Sequence, residues 1–352
     1  MGIIKDDLLK IIDCARLAPS ADNCQPWFFE VENNIIYLCH DVENTAANHL
    51  YNIDFFADYV SLGAVLENIH IQAHHLGYSP KISLLEKVRP LAQIEIIKTH
   101  EPYFSPLLGA IANRKTNRRR YSKKKISENI QTEIKSMARE NNLNIHWIDD
   151  PQMIKKFAKI ISIHDYILWE DRALRENLVR MLRFEKKFHP EGLSIDSLEL
   201  GIKKHAFGPS IKLANYVKLI WKMLGIGSVR HTGKTVRNSA AIALLTSPGK
   251  HHAHTYIDGG RIFQKIWLNL TGKNMALQPI FGTLSLILNH RLGRGGLSAK
   301  HEKIQKEITA FFHENFLNFK NETPIALFRV GYAKEPSAIS GRKEIKKILK
   351  KI

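Results

Sequence analysis

Residues 16–27 (RLAPSADNCQPW) carry an apolar helical stretch that stops at Pro19 and a polar turn that delivers Ser20, Asn23 and Gln25. An ordinary loop accounts for Pro19 and Ser20, but not for the whole string. A second concentration of chemistry is Arg114-Lys115-Thr116-Asn117-Arg118. Guanidinium forks make bidentate contacts to phosphate oxygens, and the Thr116 hydroxyl adds a donor. Arg119 and Arg120 follow at once, so the register stays open by a residue or two. His251, His252 and His254 form HHxH beside Lys250, which reads as a solvent-facing loop in preference to a metal site. Cys14, Cys24 and Cys39 have no CxxC spacing, which points to reduced thiols in a cytoplasmic setting, with Cys24 a packing residue.

The elements that must position these residues emerge when the chain is compared with itself. Residues 59–82 (YVSLGAVLENIHIQAHHLGYSPKI) align without gaps to residues 256–279 (YIDGGRIFQKIWLNLTGKNMALQP), a helix of about five turns in each copy. Tyr59 pairs with Tyr256, and Gly63 with Gly260. A glycine at the same place inside two helices suggests that they cross closely there. Gly77, a natural left-handed terminator, falls opposite Asn274, the other residue that tolerates that conformation. β-like runs follow each helix at 92–98 and 324–332, and others precede at 28–31, 35–39 and 240–246. The order reads helix, strands, long helix, strand, then the same again with an insertion between about 150 and 238. That is an α+β pattern and not the βαβ alternation of a dinucleotide-binding sheet. GxGxxG and GxxxxGK[ST] are absent from any strand-turn-helix setting, and the GRGG at 293–296 reads as a flexible loop.

A chain of 352 residues with 44% hydrophobic content can bury a sizeable core. Its 52 Lys and Arg against 34 Asp and Glu give a net charge of +18, which calls for anionic partners without choosing among them. The runs at 114–125 and 343–351 read as solvated faces. No helix-turn-helix, RNP or zinc-finger pattern supports sequence-specific nucleic-acid binding. No apolar run reaches the roughly 18 residues of a membrane helix. The nearest, 211–226, is broken by Lys212, Lys218 and Lys222 and suits a surface or lid helix. With the net charge, it leaves nucleic-acid or membrane-surface association open as an added property. The N-terminus lacks the pattern of a secretory signal, and Asp6 breaks that of myristoylation.

The string APSxxNxQPW, here Ala18, Pro19, Ser20, Asn23, Gln25, Pro26 and Trp27, resembles the signature of the FMN-dependent nitroreductases. Arg114, Thr116 and Arg118 resemble the family's Arg-x-Ser-x-Arg, with Thr in place of Ser. Residues 328–343 (FRVGYAKEPSAISGRK) resemble its closing strand, Val-Gly-Tyr turn and downstream Arg, here Val330, Gly331, Tyr332 and Arg342. The resemblance implies that FMN phosphate is held by Arg114, Thr116, Arg118 and Arg342. It sets the loop 274–282, with Gln278, Pro279 and Ile280, beside the isoalloxazine ring. Pro19, Ser20, Asn23 and Gln25 come from the opposite half.

In that family the two sets normally belong to two subunits; here both lie in one chain. The first half (1–105) lacks an Arg-x-[Ser/Thr]-x-Arg before its turn, and the second (106–352) lacks the Pro-Ser-x-x-Asn turn. One complete site can be assembled, so one FMN per chain is expected, in a monomer containing an internal pseudo-dimer. This resembles the Acg-like branch of duplicated single chains, in which an inserted lid covers the flavin. The lid candidate is the insertion, with Trp169, Arg172, the stretch 183–193 and a helix around 211–224. The activity implied is NAD(P)H-dependent, ping-pong reduction of a small aromatic acceptor such as a nitroaromatic or quinone through FMN. The rival is a flavin-sequestering or sensing protein, which would use the same binding residues.

Overall fold

In the computed structural model, which describes residues 3–45, 51–87, 89–99, 101–184, 189–200, 211, 213 and 216–351, the chain begins with α1 (Lys5–Ala15). A 3-10 turn (Ala21–Asn23) leads to β1 (Trp27–Glu32), β2 (Ile35–His40), α2 (Phe56–His75), β3 (Tyr78–Leu84) and β4 (Ala92–Lys98). Next come α3 (Leu108–Asn113), α4 (Glu128–Arg139), β5 (Asn144–Ile148), α5 (Pro151–Glu170) and α6 (Arg172–Met181). They are followed by β6 (Leu182–Arg183), β7 (Leu193–Ser194) and α7 (Lys218–Arg237). The last part holds β8 (Ala241–Ser247), α8 (Ala253–Gly272), β9 (Ala276–Pro279), α9 (Phe281–Arg291) and α10 (Ala299–Asn315). It closes with β10 (Thr323–Gly331), α11 (Ile345–Ile348) and β11 (Leu349–Lys351).

The strands make a five-stranded sheet in the order β11-β1-β2-β4-β3, a four-stranded sheet β5-β8-β10-β9 and a small pair β6-β7. This is the α+β class. Pairing is antiparallel in both large sheets except where β11 lies parallel to β1, with Phe29 opposite Leu349.

Helix α2 is apolar nearly all round, and such a helix must be buried on every side; Leu62, Val65, Leu66 and Ile69 are fully enclosed. It runs against α8, and the contact is set by the two glycines. A Cβ on Gly63 would stand 2.1 Å from the Ile257 carbonyl oxygen, and one on Gly260 would stand 2.2 Å from that of Val60. The close crossing expected from the paired glycines is therefore present and reciprocal. Polar groups buried at the crossing are paired across it: Glu67 meets Arg261 at 3.2 Å and Lys265 at 3.5 Å, and Gln264 donates to Asn68 at 2.8 Å. Past each helix, Gly77 (φ 77°) and Asn274 (φ 55°) both take the left-handed conformation.

Six strands were not expected from the sequence: β5 (Asn144–Ile148), the two-residue β6 and β7, and β3, β9 and β11. β3 carries Pro80, a residue that weakens strand patterning. β9 has four residues, too few to show a period, so 274–282 is no simple loop but a strand running into α9. β11 sits in the basic tail read as a solvated run; instead Ile348 is buried and the strand joins the first sheet. The helix expected around 211–224 does not run through: the chain is non-helical at Tyr216 and Val217, and a long helix, α7, begins at Lys218 and extends to Arg237. Residues 185–188, 201–210, 212, 214 and 215 of the expected lid lie outside the described residues. α7 packs along α5. Among the described residues no helix is long and apolar enough to cross a membrane.

Candidate functional site

After α1 the chain folds into a knot. Ser20 is extended, whereas Asp22, Asn23 and Gln25 take positive φ values of 48°, 57° and 53°. Asn and Asp tolerate this region best, and a cluster of it marks backbone held by its surroundings. The holding bonds are visible. Ser20 Oγ accepts from the Gln25 amide at 2.9 Å. Asn23 Nδ2 donates to the carbonyls of Pro190, Gly192 and Gly341 at 3.2, 3.3 and 3.2 Å. Gln25, fully buried, donates to Pro190 O at 2.7 Å and accepts from the Lys343 amide at 2.8 Å. The turn thus ties the N-terminal part to the insertion and to the C-terminal segment. Pro19, Ser20, Asp22 and Asn23 line a cleft; Gln25 is not among its lining residues and acts as a clamp behind it.

The opposite wall of the cleft is residues 114–118. They run extended beside β9, with Thr116 bridged to Leu277 and the Asn117 amide donating to Leu277 O at 3.0 Å. Side chains alternate on an extended chain, and Arg114, Thr116 and Arg118 reach the cleft together; Lys115 borders it too, while pairing with Glu335 at 2.8 Å. Asn117, buried, donates instead to Lys334 O at 2.9 Å. Arg119 turns away to Glu199 and Ser337, which sets the register that the arginine run left open.

Arg342 completes the cleft. It donates to Asn23 Oδ1 at 2.9 Å, to Gly341 O at 2.8 Å and to Leu17 O at 3.2 Å. Arg114 lies over the Trp267 ring at 4.4 Å and donates to Leu17 O at 3.4 Å. Neither has a carboxylate partner among the described residues, and the Nε of each is buried without a hydrogen bond. Burial, with Arg342 nearby, holds the Arg114 guanidinium well below its usual range. Burial and then Arg16 bring Arg342 to about 10. Arg118, also lowered by burial, is partly compensated by Asp22. Burial in turn pushes the Asp22 carboxyl up to about 6 against the pull of Arg118. Desolvated cations without counterions are strongly unfavourable, so this cleft is electrostatically incomplete without an anion.

Arg118 and Leu193 also line a cavity of about 590 Å³ that adjoins the cleft. One wall is Gln278, Pro279, Ile280, Phe281 and Gly282. The other comes from the insertion, with Leu168, Trp169, Leu182, Leu193 and Leu224. Gln278 is held by Arg329 at 2.7 Å, and the Ile280 amide donates to Leu327 O at 2.7 Å. The cavity has a polar end that the sequence did not disclose. Asp165 on α5 accepts from Ser228 at 2.8 Å and Thr232 at 2.6 Å, both on α7, and pairs with His164 at 3.0 Å. Burial opposes charge on both partners, yet their attraction leaves His164 above and Asp165 below its ordinary value. His231 stands nearby on the same wall. The only sequence signal was spacing: positions 228 and 232 share a helix face.

The other chemistry-bearing residues are elsewhere. His251 is engaged rather than solvent-facing, with Tyr256 Oη at 2.7 Å and Asp54 at 3.0 Å. Among the described residues no group of His, Cys, Asp and Glu could hold a metal ion. Cys14, Cys24 and Cys39 are buried free thiols.

No protein-family model matches the sequence, and neither does any curated protein. Solved structures do show a likeness. A nitroreductase with bound FMN from Desulfitobacterium hafniense DCB-2 is 10% identical over 70% of this chain and 98% of its own, at a TM-score of 0.39. A nitroreductase with bound FMN from Bacteroides fragilis NCTC 9343 is 11% identical over 68% and 95%, at 0.38. The FMN-dependent nitroreductase NfnB from Mycobacterium smegmatis, in complex with NADPH, is 11% identical over 70% and 97%, at 0.38. At this level of likeness the chemistry of the cleft rests on its own residues.

Proposed function

We propose that this chain binds one FMN and works as an NAD(P)H-dependent oxidoreductase of the nitroreductase type. The observation that carries the reading is the convergence of Arg114, Arg118 and Arg342 on one cleft, with Ser20, Asn23 and Thr116, beside an apolar cavity. A phosphate would supply the missing negative charge, and its oxygens would take the guanidinium and hydroxyl donors. A cavity of about 590 Å³ is in the ordinary range of about 300–1,000 Å³ for small-molecule sites. A ligand with a phosphate at one end and a flat, largely apolar body at the other answers both features.

FMN, when bound, supplies hydride and electron exchange with a nicotinamide donor and a nitroaromatic or quinone acceptor. The protein's own part is binding, orientation and exclusion of water. Arg114, Arg118, Thr116 and Arg342 hold the phosphate, while Asn23 keeps Arg342 aimed. Gln278, Pro279 and Ile280 offer a stiff wall for the ring, braced by Arg329 and Leu327. Leu168, Trp169, Leu182 and Leu224 shut water from the other side.

The finer reading is an internal pseudo-dimer of two halves, 1–105 and 106–352, with the insertion as a lid. Its support is the reciprocal Gly63 and Gly260 contact, the matched left-handed Gly77 and Asn274, and a cleft whose two walls come from different halves. Anaerobic stopped-flow mixing of the FMN-loaded protein with NADPH and NADH tests turnover. Rapid bleaching of the flavin, reversed by a quinone or nitroaromatic, is expected. Bound flavin that stays oxidised would overturn the reductase reading and leave a flavin-holding protein.

A further inference from the structure

Beside the apolar cavity lies a basin of about 480 Å³ lined by Arg118, Arg119, Arg120, Lys234, Lys334 and Glu199, together with His231, Thr235 and Leu200. It adjoins the cavity along shared residues: Arg118, Leu200, His231 and Thr235 line both. Its charge is one-sided, with five fixed cations against a single carboxylate. That carboxylate is already engaged. Glu199 meets Arg119 at 3.4 Å and accepts from the Ser337 amide at 2.5 Å and hydroxyl at 2.9 Å. Arg120, Lys234 and Lys334 have no carboxylate partner among the described residues. Like charges gathered in a concavity raise the local concentration of anions and favour their binding. The basin is separate from the phosphate cleft except at Arg118, because Arg119, Arg120, Lys234 and Lys334 do not line that cleft.

We infer that the cavity, with the flavin ring against its 278–282 wall, also admits a substrate that carries a phosphate or carboxylate, with that anionic group seated in this basin. The inference rests on the proposed flavin-dependent function, and it adds a substrate class. The anion can come from either reactant: the extra phosphate that distinguishes NADPH from NADH, or an acidic group on the acceptor. Both place negative charge against Arg120, Lys234 and Lys334, while His231 and Thr235 offer polar contacts where basin and cavity meet. It also gives part of the net positive charge of the chain a definite task.

The test is equilibrium binding to the FMN-loaded protein, read by calorimetry. It uses two matched pairs, 4-nitrobenzoate against 4-nitrobenzamide and NADPH against NADH. In at least one pair the anionic member is expected to bind about tenfold more tightly or better, as charge-assisted contacts allow. The preference should shrink with added salt. It should also disappear in the double variant Arg120→Ala with Lys234→Ala, and persist in Arg120→Lys with Lys234→Arg. The pair that responds identifies the source of the anion. Equal binding within both pairs, or a preference that survives the double alanine variant, would overturn the inference. The flavin content of the same preparation is measured first. A chain that holds no flavin refutes the function above, whereas a flavin-loaded chain without anion preference refutes only the basin.

Discussion

Arg114 is buried and Arg342 half-buried, each has its Nε enclosed without a hydrogen bond and no carboxylate partner among the described residues, and Arg342 lies within electrostatic reach of Arg114. Such an arrangement lowers stability unless something negative joins it. Replacing Arg342 by Ala is therefore expected to weaken FMN about 10- to 100-fold, the range of a charge-assisted contact. Riboflavin, which has no phosphate, should be affected little; equal losses for both ligands would mean that Arg342 does not meet the phosphate. Asp22 makes a second prediction. Its carboxyl, raised by burial to about 6, is neutral below that pH and negative above it, in the same cleft. Asp22→Asn should strengthen FMN binding at about pH 8 and change little at about pH 5. A wild-type-to-variant affinity ratio independent of pH would show that Asp22 does not titrate beside the ligand. At this scale the sequence was informative where residue type alone carries geometry. Pro19, Ser20, Asn23 and the alternating Arg114, Thr116 and Arg118 could be picked out in advance, and they share one cleft. Gln25 belongs to the same string, but its role depends on Pro190 and Lys343. No local pattern could reveal that.

Between the elements, the tightest constraint is the crossing of α2 with α8. A methyl group at Gly63 or Gly260 would overlap a backbone carbonyl of the other helix. Gly63→Ala or Gly260→Ala should destabilise the fold by about 1–3 kcal/mol, the usual cost of overpacking. Gly272, on the same helix as Gly260, has open space around it, and its alanine variant should change stability by less than about 1 kcal/mol. Denaturant midpoints compare them directly, and equal effects at Gly260 and Gly272 would contradict the crossing. A second tie joins α5 to α7 through Asp165. Its folded carboxyl lies below the ordinary 3.8, so its contribution to stability is present above that value and is lost as pH falls. His164 lies above the ordinary 6.5, so its contribution is full below that value and is lost as pH rises through the folded value. The stability lost on replacing Asp165 by Asn should thus be greatest between about pH 4 and pH 6.5, as read by thermal unfolding. A loss that is flat across pH would refute the charged pair. Helices α2 and α8 were legible because the same apolar pattern recurs in both over many turns, whereas α5 and α10, which have no second copy to compare with, were not read from the sequence. Strands β9 and β11 were not: each is too short for a period, and β11 gains its place only by pairing with β1, more than three hundred residues earlier.

For the molecule as a whole, the chain returns to its beginning. β11 completes the sheet that β1 opened, Lys343 locks Gln25, and Arg342 reaches Asn23. This closure brings the arginine-lined cleft together from segments at positions 19–23, 114–118 and 338–342. It also leaves one such cleft formed from complementary parts, since the turn and the arginine strand each occur once in the sequence. The cavity polar end and the basic basin were not legible beforehand. Their residues lie on α5, α7 and the 118–120, 198–200 and 334 segments, which come together only in the folded chain. The most direct measurement is a fluorescence titration of the flavin-free protein with FMN and, in parallel, with riboflavin. The expected result is saturation at one FMN per chain, with riboflavin bound at least about tenfold more weakly. Two FMN per chain, no saturable binding, or equal affinity for the two flavins would contradict a single phosphate-anchored site.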